Sequence, residues 1–354
     1  MALVGCKHIL YQPDVTARMV GVKIYDIDDD SKSLFAEWSE LGVNAVFADP
    51  KLVDNKFSAL AKKYGIETFI ILPIFFNPEA LHENPDLYAI TDQGEKAIEE
   101  WVEFACPSRD EYRKRRIKEI NALVRKLRPD GISLDFIRHF VYWEKVYSNR
   151  SPNSLLNTCF CSHCLDLFQA DQQIRIPSSL KDTPQISDWI NANCSAEWTE
   201  WKCGLITRMV EEVVREARLI NPKLRVNVHA VPWRQDDFSK GIKRIAGQDI
   251  AAIAPFTDII SPMTYSHMVK REPEWINSVV KDIADQAGGI IIPTIQVNRA
   301  YLPEPLTAEE FRQCVIEALK HPSAGIVLWS WEQLNKSPEK KEIFKALINH
   351  SALR

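Results

Sequence analysis

Three groups of residues in this chain have the types and spacing to do chemistry. The first is a carboxylate. Asp135 follows Ile132-Ser133-Leu134, where a purely structural strand would continue apolar. A carboxylate buried there is costly unless it is paired. Arg138, three residues on, is the nearest partner for a structural ion pair, and the functional alternative is a nucleophile or general acid. The second is a thiol cluster. Cys159-Phe160-Cys161-Ser162-His163-Cys164 brings three sulfurs together as Cys-x-Cys-x-x-Cys, and tetrahedral zinc takes four thiolates or imidazoles. Cys106, in Ala105-Cys106-Pro107, is the expected fourth ligand to Cys159, Cys161 and Cys164, with His163 as its competitor. Four thiolates close the shell, so the metal would be a structural staple between two long loops. Unligated thiols are the alternative. The third group is tryptophan, 10 residues of 354. Flat aromatics suit sugar faces, as carboxylates suit proton transfer. Trp38, Trp198 and Trp201 have helical spacing and are expected in the core.

The elements that must position these groups follow from the apolar pattern. β-type runs at 20–25, 43–48, 68–76, 131–137, 224–231, 258–265, 289–297 and 325–331 alternate with helical stripes. Leu34, Phe35, Trp38 and Leu41 make the first stripe, after Ser31 as N-cap, and Gly42 ends it. Phe57, Leu60, Ala61 and Tyr64 make the second, closed by Gly65. Ser108-Arg109-Asp110-Glu111 and Thr307-Ala308-Glu309-Glu310 read as capping boxes. Strands alternating with helices imply parallel pairing, and eight such units predict one α/β domain over 1–354. The expected fold is a (β/α)8 TIM barrel with a long zinc-stapled insertion after strand four. The turn after strand one, Asp26-Ile27-Asp28-Asp29-Asp30, has no glycine, which argues against a dinucleotide fold.

In such a barrel the site lies at the C-terminal ends of the strands. Strand one offers Lys23, Tyr25 and Asp26, strand two Asp49, strand three Asn77, and strand four Asp135, Arg138 and His139. Strand five offers His229 and Trp233, and strand six Tyr265 and His267. Strand seven offers Gln296 and Asn298, and strand eight Trp329, Trp331 and Glu332. No Gly-x-Ser-x-Gly elbow and no His-x-His after strand one occurs, which sets aside serine hydrolases and metal-dependent amidohydrolases. Carboxylates, amides and indoles together suit a carbohydrate. Glycosidases use two carboxylates, and Glu332 is the first candidate partner for Asp135. Asp49 and Asp26 come next, then Asp236 and Asp237. Strands four and eight lie across a barrel, so a Glu332 partner would favour the wider gap of inverting enzymes, ~6.5–9.5 Å. Tyr25, Asp49, Asn77, Arg138, His139, His229, Trp233, Tyr265, His267, Gln296, Trp329 and Trp331 are the expected substrate contacts.

Composition narrows the classes further. The formal charge is -4 with no basic stripe, which speaks against a nucleic-acid partner. Mean hydropathy is -0.22 and no apolar run reaches the ~18 residues of a membrane span. The residues Met1-Ala2-Leu3-Val4-Gly5-Cys6-Lys7-His8 lack the pattern of a secretory signal, and the eight cysteines are spaced for metal rather than bridges. A cytoplasmic protein, with a homo-oligomer left open, is the expectation.

Cys106-Pro107-Ser108-Arg109-Asp110-Glu111-Tyr112-Arg113, with the run from Cys159 to Phe168, resembles the structural zinc site of family 42 glycoside hydrolases, the β-galactosidases. The likeness covers the rim loops. That family carries an Asn-Glu pair at strand four and a Glu at strand seven, where this chain has Leu134-Asp135 and Gln296, so its catalytic mechanism does not transfer. Three further stretches are similar to the glycoside-hydrolase-like barrels of bacteria. They are Asp130-Gly131-Ile132-Ser133-Leu134-Asp135-Phe136-Ile137-Arg138, then Gly247-Gln248-Asp249, then Asp258-Ile259-Ile260-Ser261-Pro262-Met263-Thr264-Tyr265. The resemblance implies the barrel fold and processing of an oligosaccharide or polysaccharide, with no particular sugar. The expected activity is hydrolysis of a glycosidic bond centred on Asp135, without redox cofactor and with structural zinc. The rivals are a non-catalytic carbohydrate-binding barrel, or a lyase or isomerase using His229 or Tyr265 as base.

Overall fold

Side chains alternate across a strand, and that parity decides what fills the centre of this molecule. The computed structural model describes residues 18–27 and 31–351. Cys6, the residues read for a signal and Asp28, Asp29 and Asp30 lie outside them. β1 (Met19–Ile24) pairs in parallel with β2 (Ala45–Ala48), and β2 with β3 (Glu67–Pro73). A two-stranded hairpin, β4 (Ile98–Glu99) and β5 (Val102–Glu103), then intervenes. β3 pairs with β6 (Gly131–Asp135), β6 with β7 (Arg225–Ala230) and β7 with β8 (Ile259–Pro262). On its other edge β1 pairs with β10 (Gly325–Trp329), and β10 with β9 (Thr294–Gln296). Single parallel bridges, Ile260 to Ile291 and Met263 to Thr294, join β8 to the β9 segment and nearly close the barrel. The eight-unit reading of the sequence is therefore correct.

Two local expectations need correction. The seventh stave is three residues of strand with an outlying bridge, not the nine residues 289–297. Pro293 interrupts the run and has no N–H to give the ladder. Ser108 does not cap the following helix, Asp110–Leu127, whose N-cap is Arg109 without a side-chain bond. Its Oγ lies instead 3.1 Å from both Cys106 Sγ and Cys164 Sγ. Thr307 does cap its helix, accepting from the Glu310 amide at 3.1 Å.

The barrel interior is layered. Met19, Phe47, Phe69, Ile71, Ile259 and Val327 form an inner apolar cluster, and the Phe47 and Phe69 rings stack at 4.7 Å. A Cβ on Gly131 would come 2.3 Å from the Phe69 ring, so only glycine fits that level of β6. Nearer the C-terminal ends the filling turns polar. Asn227 Nδ2 donates to Ser133 Oγ (2.9 Å), Ser261 Oγ donates to Asn227 Oδ1 (2.7 Å), and Ser133 Oγ lies 3.0 Å from His229 Nε2. The outward parity of the same strands, Val20, Val22, Ile24, Ile132 and Leu134, belongs to the larger core between sheet and helices, together with Trp38, Trp198 and Trp201.

Gln248 explains the Gly247-Gln248-Asp249 stretch. Fully buried, it accepts from the Val231 amide at 2.9 Å and donates to the Ile137 carbonyl (3.1 Å) and the His229 carbonyl (2.9 Å). It thus brackets the strand ends of β6 and β7. Gly247 has φ +67°, and a Cβ there would meet His139 at 2.5 Å. Gln248→Ala leaves three buried backbone groups unpaired and should cost about 3 kcal/mol in urea or thermal unfolding.

Candidate active site at the barrel mouth

Ser133 and Asp135 share the inner face of β6, so Asp135 projects into the C-terminal mouth of the barrel. Its Oδ2 lies 3.7 Å from Lys23 Nζ, and its Oδ1 accepts from the Phe136 amide at 2.8 Å. The cation beside it is thus Lys23, delivered inward by the parity of β1. The expected partner, Arg138, donates to the Val141 carbonyl at 2.8 Å instead. Burial alone would raise the Asp135 carboxyl, but His229, Lys23, the Phe136 amide and Arg138 together hold it below the usual range. Burial and the charge of Lys23 pull His229 itself down to about 3, so it is neutral near neutral pH. The ammonium of Lys23 is therefore the main countercharge. Burial pulls Lys23 below its ordinary value, and Asp135 restores part of that shift. Asp135 keeps 8% exposure and opens on a cavity of about 320 Å³, whose lining includes Tyr25, Asp49, Pro73, Phe76 and Phe136.

Aromatic rings wall the mouth. Tyr265 stacks on Trp329 at 4.7 Å and lies tilted against Trp143 at 5.7 Å. Burial and the charge of Asp135 push the Tyr25 phenol well up, and burial, Tyr25 and Asp135 do the same to Tyr265. The β4–β5 hairpin holds Trp101 over this wall. Its indole N–H donates to Tyr301 O–H at 3.0 Å, and its ring stands edge-on to Phe76 at 5.5 Å. Both rings remain exposed, Trp101 at 45% and Tyr301 at 40%. Sequence reasoning did not single them out, because both lie on loops outside any strand register.

The expected site residues thus divide. Tyr25, Asp49, Asp135, Arg138, His229, Tyr265 and Trp329 gather in or beside the mouth. Asn77 caps the helix Pro78–Glu83, accepting from Ala80 N at 3.2 Å. His139 is fully buried against the Lys202 carbonyl at 3.3 Å, and burial holds it neutral. Trp233 packs on Phe238 at 4.9 Å. His267 bonds Glu310 at 2.9 Å and the Glu304 carbonyl at 3.1 Å. Gln296 accepts from Met268 N at 2.8 Å and donates to the Asn298 carbonyl at 2.9 Å. Trp331 stands edge-on to Trp38 at 5.7 Å, behind the barrel wall. Glu332 Oε1 accepts from the Tyr25 amide at 2.6 Å and the Asp26 amide at 3.0 Å.

One carboxylate escaped the sequence inventory. Glu144 lies on the turn Trp143–Lys145, in the loop that follows β6, and is 8% exposed. Burial pushes it up to about 7, with Arg138 pulling down and Asp135 and Glu99 adding to the rise. Its only sequence signal is a lone acid after the apolar run Phe140-Val141-Tyr142-Trp143.

Cys106, Cys159, Cys161 and Cys164 are all buried, with their sulfurs within 4.8 Å of one another. Zinc–sulfur bonds of ~2.3 Å in a tetrahedron put sulfurs about 3.8 Å apart. The pairs Cys106–Cys161 and Cys106–Cys164 stand at 3.8 and 3.3 Å. The amides of Ile90 and Cys164 donate to Cys159 Sγ and Cys161 Sγ at 3.3 and 3.4 Å, as they would to thiolates. His163 turns away, its Nε2 lying 3.3 Å from the Ser108 carbonyl. The donor set therefore fits a structural metal.

No family model matches this sequence, and no curated protein matches it. Solved structures do. The PgaB (BpsB) glycoside hydrolase domain from Bordetella bronchiseptica superposes with a TM-score of 0.67 at 16% identity, over 93% of this chain and 98% of that one. The β-galactosidase of the Antarctic haloarchaeon Halorubrum lacusprofundi gives 0.68 at 12%, over 95% and 58%. Gan42B, a GH42 β-galactosidase from G. stearothermophilus, gives 0.62 at 11%, over 95% and 57%. The chain spans less than three-fifths of those β-galactosidases and nearly the whole PgaB domain. Among the described residues no helix is long and apolar enough to cross a membrane. The fold of this chain is the (β/α)8 barrel found in these glycoside hydrolases.

Proposed function

We propose that this chain is a glycoside hydrolase that cleaves an oligosaccharide or polysaccharide at Asp135. The observation that carries the reading is Asp135 itself: a carboxylate held ionised by Lys23, at the edge of a cavity and beside the rings of Tyr25, Tyr265 and Trp329. An ionised carboxylate fits a base or nucleophile at an anomeric centre, and the rings fit the apolar faces of a pyranose. Trp101 offers a further platform at the rim. Glu332, whose Oε1 holds two amides of the first strand end while its Oε2 is left without a partner among the described residues, fits a positioning role for Tyr25. For the cysteine cluster we infer zinc, held by Cys106, Cys159, Cys161 and Cys164. With four protein ligands it has no open position, so its contribution is structural.

The test is a panel of nitrophenyl glycosides and oligosaccharides in heavy-oxygen water. Release of a labelled reducing sugar supports hydrolysis. Saturable binding without release would replace it with a binding barrel, and an unsaturated, unlabelled product with a lyase. One variant probes the countercharge. Lys23→Met removes the cation that offsets burial, so the Asp135 pKa should rise. The activity that requires its ionised form should then appear only at higher pH, moving the acid limb of kcat/KM upward by a unit or more.

A further inference from the structure

Asp135, Arg138 and Glu144 lie on one strand end and its loop; Arg138 feels the charge of both acids, and Glu144 feels those of Arg138 and Asp135. Yet their contacts leave polar atoms over. Glu144 Oε2 and Arg138 Nε and Nη2 are shut from solvent, and no described residue partners them. Buried polar groups in folded proteins are overwhelmingly hydrogen-bonded, so these atoms suit partners that the chain does not itself supply. They lie next to the mouth. Trp143, beside Glu144, packs on Tyr265, and Arg138 lies over the Phe136 ring at 5.4 Å. Glu99 from β4, Tyr265 after β8 and Tyr301 after β9 face Glu144 from the other elements.

We propose that Glu144 is the proton donor to the leaving oxygen, acting together with Asp135, in the hydrolysis inferred above, on which this assignment rests. The proton of Glu144 passes to the glycosidic oxygen as the bond from the anomeric carbon breaks and its electron pair stays on that oxygen. Water adds to the anomeric carbon and leaves its own proton on Asp135. Solvent then returns one proton to Glu144 and removes one from Asp135, so hydrolysis balances with one water consumed. The two environments suit these roles. Burial keeps Glu144 protonated up to about pH 7, while Lys23 keeps Asp135 ionised.

The test compares nitrophenyl glycosides, whose leaving group needs little protonation, with methyl glycosides of the same sugars. Glu144→Gln should slow methyl glycosides about 100-fold or more and nitrophenyl glycosides less than about 10-fold. It should also abolish the alkaline limb of kcat/KM near pH 7. Equal losses on both leaving groups with the limb intact, or no loss, would overturn the assignment while leaving Asp135-centred hydrolysis standing. A wild-type protein that cleaves neither class would remove the hydrolase reading itself. Should Glu144→Gln fail to fold, Glu144→Asp serves, with the limb expected to persist at reduced kcat; a lost limb counts against the donor.

Discussion

Asp135→Asn is expected to lower kcat/KM for glycoside cleavage by about 1,000-fold or more, with the dissociation constant for a product sugar changed only a few-fold. Asparagine keeps the shape and can still accept the Phe136 amide bond through its oxygen, so the strand end should hold. It cannot take a proton from water or attack carbon. The substitution also strands Lys23, which is 1% exposed and loses its counter-ion. Breaking one side of a buried pair typically costs about 3–5 kcal/mol, although Lys23 can shed its proton to limit that cost because burial already pulls its pKa down. Stability and activity must therefore be separated. The double variant Lys23→Met with Asp135→Asn removes both charges and should recover much of the lost thermal stability without recovering turnover. Recovery of activity in the double variant, or wild-type activity in Asp135→Asn alone, would show that the carboxylate is not the reacting group.

How far the sequence reaches is visible at this same strand. Ile132-Ser133-Leu134-Asp135 carries its own orientation. Leu134 needs the helix layer, so Asp135 must face inward, and period-two alternation made both the barrel and this residue legible. Parity does not say which inward neighbour lies opposite, because pairing across the barrel depends on register. Arg138, close in sequence, was the natural partner for Asp135, and Lys23, from another stave, supplies the nearest charge. Loops carry no such period. Glu144, Trp101 and Tyr301 owe their places to the turn after β6, the β4–β5 hairpin and the chain after β9, where spacing predicts nothing. Ser108 shows the converse: a local capping pattern overridden by the sulfurs of Cys106 and Cys164, which lie far apart in sequence. The thiols themselves were legible, since ligand chemistry demands a spacing that few other roles produce.

Removing the proposed zinc should be felt first in those loops. Cys106 follows the hairpin that carries Trp101, and its amide donates to the Leu87 carbonyl at 2.7 Å. Cys159, Cys161 and Cys164 belong to the stretch between β6 and β7, tied back by the Phe160 amide to the Ile90 carbonyl at 2.8 Å. Sulfur–sulfur hydrogen bonding draws the Cys161 thiol down, while burial pushes Cys159 and Cys164 up. A divalent cation lets all four ionise together. The purified chain should therefore contain about one zinc per molecule by metal analysis. A metal present at about 1,000 times its dissociation constant stabilises a fold by about 4 kcal/mol. At about 1–2 °C per kcal/mol for a chain of this length, a strong chelator or Cys106→Ser should lower Tm by about 5 °C. Limited proteolysis should cut first within 85–110 and 146–165, because those segments lose their common anchor while the strands keep their ladders. Where glycoside turnover is present, KM should rise before kcat falls, since loosening the hairpin moves Trp101 and not Asp135. A chain free of metal, with Tm indifferent to chelator, would leave the four cysteines as packed thiols and the hairpin held by its backbone bonds alone.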